Sequence, residues 1–345
     1  MPTATPLSAL PIRRLTMNDL MSCADLAEDR GWAREERRWG LLLTAGTGYG
    51  IDDPEGRGLA AVCVITSYGS AYSASYRSYG SPGSPRSPGS PSGSSGSPSG
   101  SSYGSRSGSE TPRLGAYGVS GDRGLATVGM MLVAGRHARQ GLGRRMMTHV
   151  LREAGDTPLI LNATEYGLPL YQQLGFTSIG LTQTVLGHFK TPESMPSQAR
   201  VTTRPATADD LSAIVRLDSQ IFGADRTHLI VRLPAFADHL RVAEDSSGLI
   251  GYAAAWPTPA ADVIGPLIAK DTDTAKALVS SLTAGIADSG RPLRTVIDIR
   301  HEELLAWVKD HGLEPTTRTT TMIHGIPDQP GDWTRRFAPL NLATG

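Results

Sequence analysis

"VGMMLVAGRHARQGLGRRMM", residues 128–147, is the stretch whose reading decides the fold. The unbroken apolar run 128–134 predicts a buried strand, and the pattern after Gly143 predicts a helix ending near Gly155. Between them lies a basic turn with two glycines one residue apart, Gly141 and Gly143. The first amides of a helix have no intrahelical acceptor, and the helix dipole adds positive potential there, so such a turn favours phosphate. Lacking Cβ atoms, Gly141 and Gly143 let a phosphate come close to the backbone, while Gln140, Arg144 and Arg145 add donors or charge. A dinucleotide fingerprint needs a third glycine, and a P-loop needs Lys-Ser or Lys-Thr. Arg144, Arg145 and Met146 follow instead, which excludes both.

Outward from this stretch, residues 12–46 read as a strand and two helices, with Thr16 or Asn18 as the first N-cap. "GTGYG" (46–50) precedes no helix and reads as a plain turn; "GLAAVCVIT" (58–66) reads as a strand. Downstream come a strand "PLILNAT" (158–164), a helix "LPLYQQL" (168–174) and a strand pair "FTSIGLTQTVLGHF" (176–189). After a Pro/Ser-rich linker (191–200) the pattern begins again. "VTTRPATADDLSAIVRLDSQIFG" (201–223) parallels "LPIRRLTMNDLMSCADLAEDRGW" (10–32), and strands and helices follow in the same order to residue 326. The chain therefore divides into a unit at 10–190, a second at 201–326 and a tail at 327–345.

Residues 67–112 interrupt the first unit with Ser, Gly, Pro and Tyr, and their single acid is Glu110. Such a segment has little to bury and is expected to be disordered. A passive insertion in a surface hairpin costs little stability; its tyrosines leave open an RNA-associated role. Over all 345 residues, the net charge of zero gives no ground for nucleic acid as a general partner. No window reaches the ~20 apolar residues that span a bilayer. The first residues carry no basic stretch followed by a long apolar one, so a cytoplasmic protein is expected. Cys23 and Cys63 read as buried reduced thiols, and the eight histidines have no metal-binding spacing.

A second stretch, "LNATEYGLPLYQQLGF" (161–176), gives the turn a chemical context. Together with residues 128–147 it resembles the acetyl-CoA-binding core of the GCN5-related N-acetyltransferases, the GNAT superfamily. The layout is similar to tandem GNAT proteins, in which a fuller first domain precedes a reduced second one. The resemblance implies an α/β (α+β) architecture: two acyl-CoA N-acyltransferase folds in tandem, each a mixed central sheet flanked by helices. It implies acetyl-CoA as acyl donor and a primary amine, on a small molecule or a protein, as acceptor, with direct attack in a ternary complex. Arg139, Gln140, Gly141, Leu142, Gly143, Arg144 and Arg145 would hold the pyrophosphate through main-chain amides. Met131, Leu132 and Val133 would present strand backbone to the pantetheine arm, and Tyr171 would protonate the departing thiolate. Glu165 stands where the family often has Asn, either as a solvated carboxylate or in contact with cofactor or amine.

Two departures accompany the resemblance. Ala138 occupies the first signature position, usually Gln or Arg, and the strand 126–134 carries no carboxylate. The general base stays open among Glu35, Glu36, Asp52, Asp53 and a water chain. The second unit's equivalent turn, "IGPLIAKDTDTAKAL" (264–278), has no glycine pair and places Asp271 and Asp273 where phosphate would sit. Val308 matches Tyr171 there. That unit is expected to pack on the first and wall the acceptor pocket without catalysing. A non-catalytic acyl-CoA-binding module is the alternative reading of the chain.

Overall fold

The computed structural model describes residues 6–70, 124–191 and 201–345. Both units open with the same device. In the first, strand β1 (Arg13–Arg14) leads to Thr16, whose hydroxyl and amide close a capping box with Asp19 ahead of helix α1 (Leu20–Asp29). Arg13 donates to the same Asp19 at 2.7 Å. In the second, Arg204, Thr207 and Asp210 repeat this arrangement between β7 (Thr202–Pro205) and α5 (Leu211–Phe222). The internal repeat expected from the sequence is thus visible down to the hydrogen bonds.

The first unit continues with α2 (Glu36–Ala45), β2 (Thr47–Asp52), β3 (Leu59–Ser70), β4 (Leu125–Val133), α3 (Leu142–Ala154), β5 (Leu159–Ala163), α4 (Leu168–Gln173) and β6 (Thr177–Gly187). The second adds β8 (Ala224–Asp225), α6 (Thr227–Ile230), α7 (Leu233–Phe236), β9 (His239–Asp245), β10 (Gly248–Pro257) and β11 (Asp262–Ala269). It ends with α8 (Thr272–Gly285), β12 (Leu293–Asp298), α9 (Glu302–Asp310), β13 (Glu314–His324) and β14 (Arg336–Ala338). One sheet joins both units in the order β1-β2-β3-β4-β5-β13-β6-β12-β11-β10-β9-β7.

The centre of that order is an exchange. β13 of the second unit lies between β5 and β6 of the first, and β6 lies between β13 and β12 of the second. Each unit lends a strand to the other, β6 from the first and β13 from the second. The expected strand pair at 176–189 is accordingly one long strand, because the partners it needs come from the second unit. Two further expectations are corrected. "GTGYG" lies in β2, not in a turn, and its glycines make room for a neighbour: a Cβ on Gly50 would lie 2.6 Å from Leu15. Residues 67–70 extend β3 by pairing with β4 and β8, so the strand outlasts the compositional change. The remaining insert positions through 112, and most of the linker, lie outside the described residues.

Helices cover both faces of the sheet. On one face α3 packs Met146, Met147 and Val150 against Val128 and Leu161. On the other, α1 and α2 pack Cys23, Trp39 and Leu42 against Val62, Met130 and Leu132. The second unit's core on the α8 and α9 side is built around Leu278, Leu282, Ile297 and Leu304. The second unit also holds a buried polar cluster. Asp218 accepts two hydrogen bonds from Arg226, at 2.6 and 3.0 Å, and one from the Tyr252 hydroxyl. Among the described residues no helix is long and apolar enough to cross a membrane.

Candidate active site

β4 is regular only in its first half. It pairs in parallel with β5 from Ala126↔Leu159 to Val128↔Leu161, and beyond Val128 the two strands part. On its other edge Val62 faces Leu132 and Val64 faces Gly129, so Cys63 alone opposes both Met130 and Met131. Two residues against one is a β-bulge, which leaves a residue outside the ladder and bends the strand. Met130 carries the distortion at φ 53°, a left-handed conformation uncommon for a residue with a side chain. The result is a V-shaped cleft between Met131–Val133 on one arm and Ala163 on the other.

At the mouth of the V stands the glycine turn. Arg139 (φ 59°) and Gly141 (φ 83°) are both left-handed, and Gly141 is the uncapped start of α3. The first intrahelical bond into this end runs from the Arg145 amide to the Gly141 carbonyl, so the amides of Leu142, Gly143 and Arg144 have no helical acceptor. A Cβ on Gly143 would lie 3.5 to 3.9 Å from Leu170, Val133 and Met131, and so would project into the cleft. A hollow of about 540 Å³ continues outside, lined by Gly141, Arg144, Arg145, His149 and Arg152. Arg145 is held by the carbonyls of Leu7 and Leu10, and Arg144 by Gln173.

Tyr171, on α4, is 8% exposed and packs edge-on against Phe176. No protein group among the described residues hydrogen-bonds its hydroxyl. Burial, with a smaller contribution from Cys63, raises its pKa above the usual phenol value. A Cβ on Gly167 would come within 2.9 Å of the ring, so glycine there leaves the tyrosine its place. Cys63 and Cys23 are free and buried, and burial pushes both thiols up to about 12. Glu165 is exposed on the turn before α4.

The four carboxylates considered as bases are all committed to arginines. Glu35 lies buried between Arg294, at 3.0 Å, and Arg38. Glu36 binds Arg34 and Asp52 binds Arg13. Asp53 is buried too, and accepts from Arg136, the His137 ring and the Glu55 amide. Burial alone would raise its pKa; those partners outweigh it and hold the carboxyl at about 2. Glu35 and Asp53, open as candidate bases from the sequence, are therefore buried in ion pairs. The anchoring of the turn by Arg136 and His137 through Asp53 has no signature in the sequence, because nothing local links residues so far apart.

The second unit's corresponding cleft is filled by the chain itself. β11 pairs with β12 only from Asp262 to Ile264, and β14 then occupies the gap, pairing Leu267↔Ala338 and Ile268↔Arg336. Phe337 is fully buried there. At the start of α8 the Asp271 carboxylate already accepts from the Thr274 amide at 2.8 Å and from its hydroxyl.

A family model described as an acetyltransferase (GNAT) domain matches residues 109–192, and a second with the same description matches 214–338. The chain belongs to the GNAT acetyltransferase superfamily and carries its domain twice. The uncharacterized N-acetyltransferase YitH of Bacillus subtilis is 33% identical over 183 residues, which is 52% of this chain. The match spans 63% of that relative's length. Among solved structures, a putative acetyltransferase from Pyrococcus horikoshii superposes with a TM-score of 0.67, covering 97% of this chain and 96% of its own at 15% identity. A tandem GNAT protein from the clavulanic acid biosynthesis pathway superposes with a TM-score of 0.58 at 13% identity, covering 92% of this chain and 99% of its own. At those identities the likeness concerns the fold: two GNAT units in one continuous assembly.

Proposed function

We propose that this GNAT protein transfers an acetyl group from acetyl-CoA to a primary amine, by direct attack at the first unit's cleft. The observation that carries this is the coincidence, in that unit, of a splayed β4–β5 pair with an uncapped glycine-bearing helix start at its mouth. The residues fit the coenzyme. Free amides at Leu142, Gly143 and Arg144 and the basic hollow beyond them suit the pyrophosphate and the remaining phosphate. The open edge of β4 at Met131, Leu132 and Val133 suits an amide-bearing pantetheine arm, which would add to the strand as another strand would. When bound, the coenzyme supplies an activated thioester carbonyl.

The chain's own groups do the rest. Amides freed at the Met130 bulge stabilise the charge that develops on the carbonyl oxygen. Tyr171 gives a hydrogen bond, and then its proton, to the departing sulfur. Its burial keeps it protonated, and a thiolate expelled into the same apolar surroundings is more basic than one in water. Among the described residues Glu35, Glu36, Asp52 and Asp53 are each tied to an arginine, so in this reading water carries the amine's proton away. The alternative of a module that binds acyl-CoA without turnover keeps the cleft but leaves Tyr171 idle.

A pH series over graded primary amines, with coenzyme release as readout, tests the reading. The second-order rate is expected to rise about tenfold per pH unit, up to the pKa of each amine, because only the neutral amine attacks. A plateau at the same lower pH for every amine would reveal an enzymic base and contradict the water route. Absence of turnover with every amine would favour the binding module.

A further inference from the structure

The residues after β14 pass from the second cleft to the first. Gly265 lets them by: a Cβ there would lie 2.4 Å from the Pro339 carbonyl oxygen. Residues 340–345 then fold into one tight turn, closed by the Leu340 amide on the Gly345 carbonyl and by the Gly345 amide on the Asn341 carbonyl. This turn sits against the narrow end of the first V. A Cβ on Gly129 would lie 2.3 Å from the Ala343 methyl, so only glycine permits the approach. Asn162, on the opposite arm, donates to the Leu342 carbonyl at 3.1 Å.

The turn is anchored, not merely adjacent. Buried Tyr68 donates to the Thr344 carbonyl at 2.6 Å, and buried Arg226 donates to the Gly345 carbonyl at 2.7 Å. Ala343 is 5% exposed and Thr344 is fully buried. A segment held by carbonyls on three sides does not swing aside at small cost.

Its position limits the donor, provided that the first cleft binds acyl-CoA in the proposed way. Residue 128 faces the α3 side and residue 129 the opposite side, as strand alternation requires. A pantetheine arm along Val133 and Met131 brings its thioester to the bulge at Met130. Acyl carbons beyond the thioester meet two barriers. Ahead, β4 and β5 close again at Val128↔Leu161, and to the side stands the Ala343 methyl.

We propose that residues 340–345, delivered by the second unit, form the end wall of the acyl site, with Ala343 against Gly129 restricting the donor to short acyl groups. The second unit then has a task at the first unit's site although its own cleft is filled.

Calorimetric titration of acetyl-CoA, butanoyl-CoA and hexanoyl-CoA against the full chain decides it without need of turnover. Each buried methylene ordinarily strengthens binding about fourfold, so an open-ended site prefers the longest acyl chain. The wall predicts the reverse: hexanoyl-CoA binds at least tenfold more weakly than acetyl-CoA. In a variant lacking residues 341–345 that order inverts, and in Ala343→Gly, a milder change that keeps the turn, butanoyl-CoA gains about threefold relative to acetyl-CoA. Equal or tighter binding of hexanoyl-CoA by the wild type overturns the proposal. So do an unchanged preference in Ala343→Gly and a loss of acetyl-CoA binding in that variant. Failure of the wild type to bind any of the three thioesters instead overturns the function on which the inference rests.

Discussion

Gly143→Asp is expected to weaken acetyl-CoA binding about 1,000-fold while the protein stays folded. The backbone at Gly143 is right-handed helical, so a side chain is not strained, and its Cβ would meet Leu170, Val133 and Met131 at ordinary contact distances. Folding therefore tolerates the change. Binding does not, because the new carboxylate points into the cleft at the amides that would hold the pyrophosphate. Two like charges ~4 Å apart at an effective dielectric near 20 repel by about 4 kcal/mol, close to three decades in affinity. Gly143→Ala separates charge from bulk and should cost roughly tenfold or less, the loss of about one well-packed contact. Calorimetry of both variants, with thermal unfolding as a control for fold, is the measurement. Wild-type affinity in Gly143→Asp would remove the phosphates from this turn.

Tyr171→Phe should lower the turnover number about 100-fold and leave the acetyl-CoA dissociation constant within a factor of two. General acid catalysis is worth roughly 100- to 10,000-fold, and part of it survives because water also reaches the departing sulfur. The ring packs against Phe176, and its hydroxyl has no partner among the described residues, so phenylalanine leaves no buried group unsatisfied. The test is the split between the two constants. A fall in affinity with unchanged turnover would make Tyr171 a wall of the cleft; no change in either would remove it from the chemistry.

The features legible in the sequence are those written locally. Gly141 and Gly143 announce the turn because positive φ and an uncapped helix start demand particular residues at particular positions. The capping boxes at Thr16 and Thr207 announce the repeat in the same way. The features that are not legible depend on pairing over long distances. β6 and β13 are threonine-bearing strands whose buried positions come in blocks, without clean alternation, and nothing in either says that it pairs with the other unit. The bulge at Met130 falls on a residue with no preference for left-handed backbone, so its position follows from the register with β3 alone. "GTGYG" resembles a turn because glycines suggest flexibility, whereas here they serve the close approach of Leu15. The tail at 327–345 carries no pattern that announces its role, yet it fills one cleft with β14 and reaches the other through Gly265 and Gly129.

We propose that two units of one fold, sharing one sheet, keep one working cleft. The stoichiometry of acetyl-CoA binding to the wild-type chain, by titration calorimetry, tests it most directly. One equivalent per chain is the predicted result, since β14 occupies the second cleft and Asp271 already caps the second helix start. Two equivalents would mean that β14 yields to the coenzyme, and none would mean that neither cleft is a coenzyme site; either result contradicts the account.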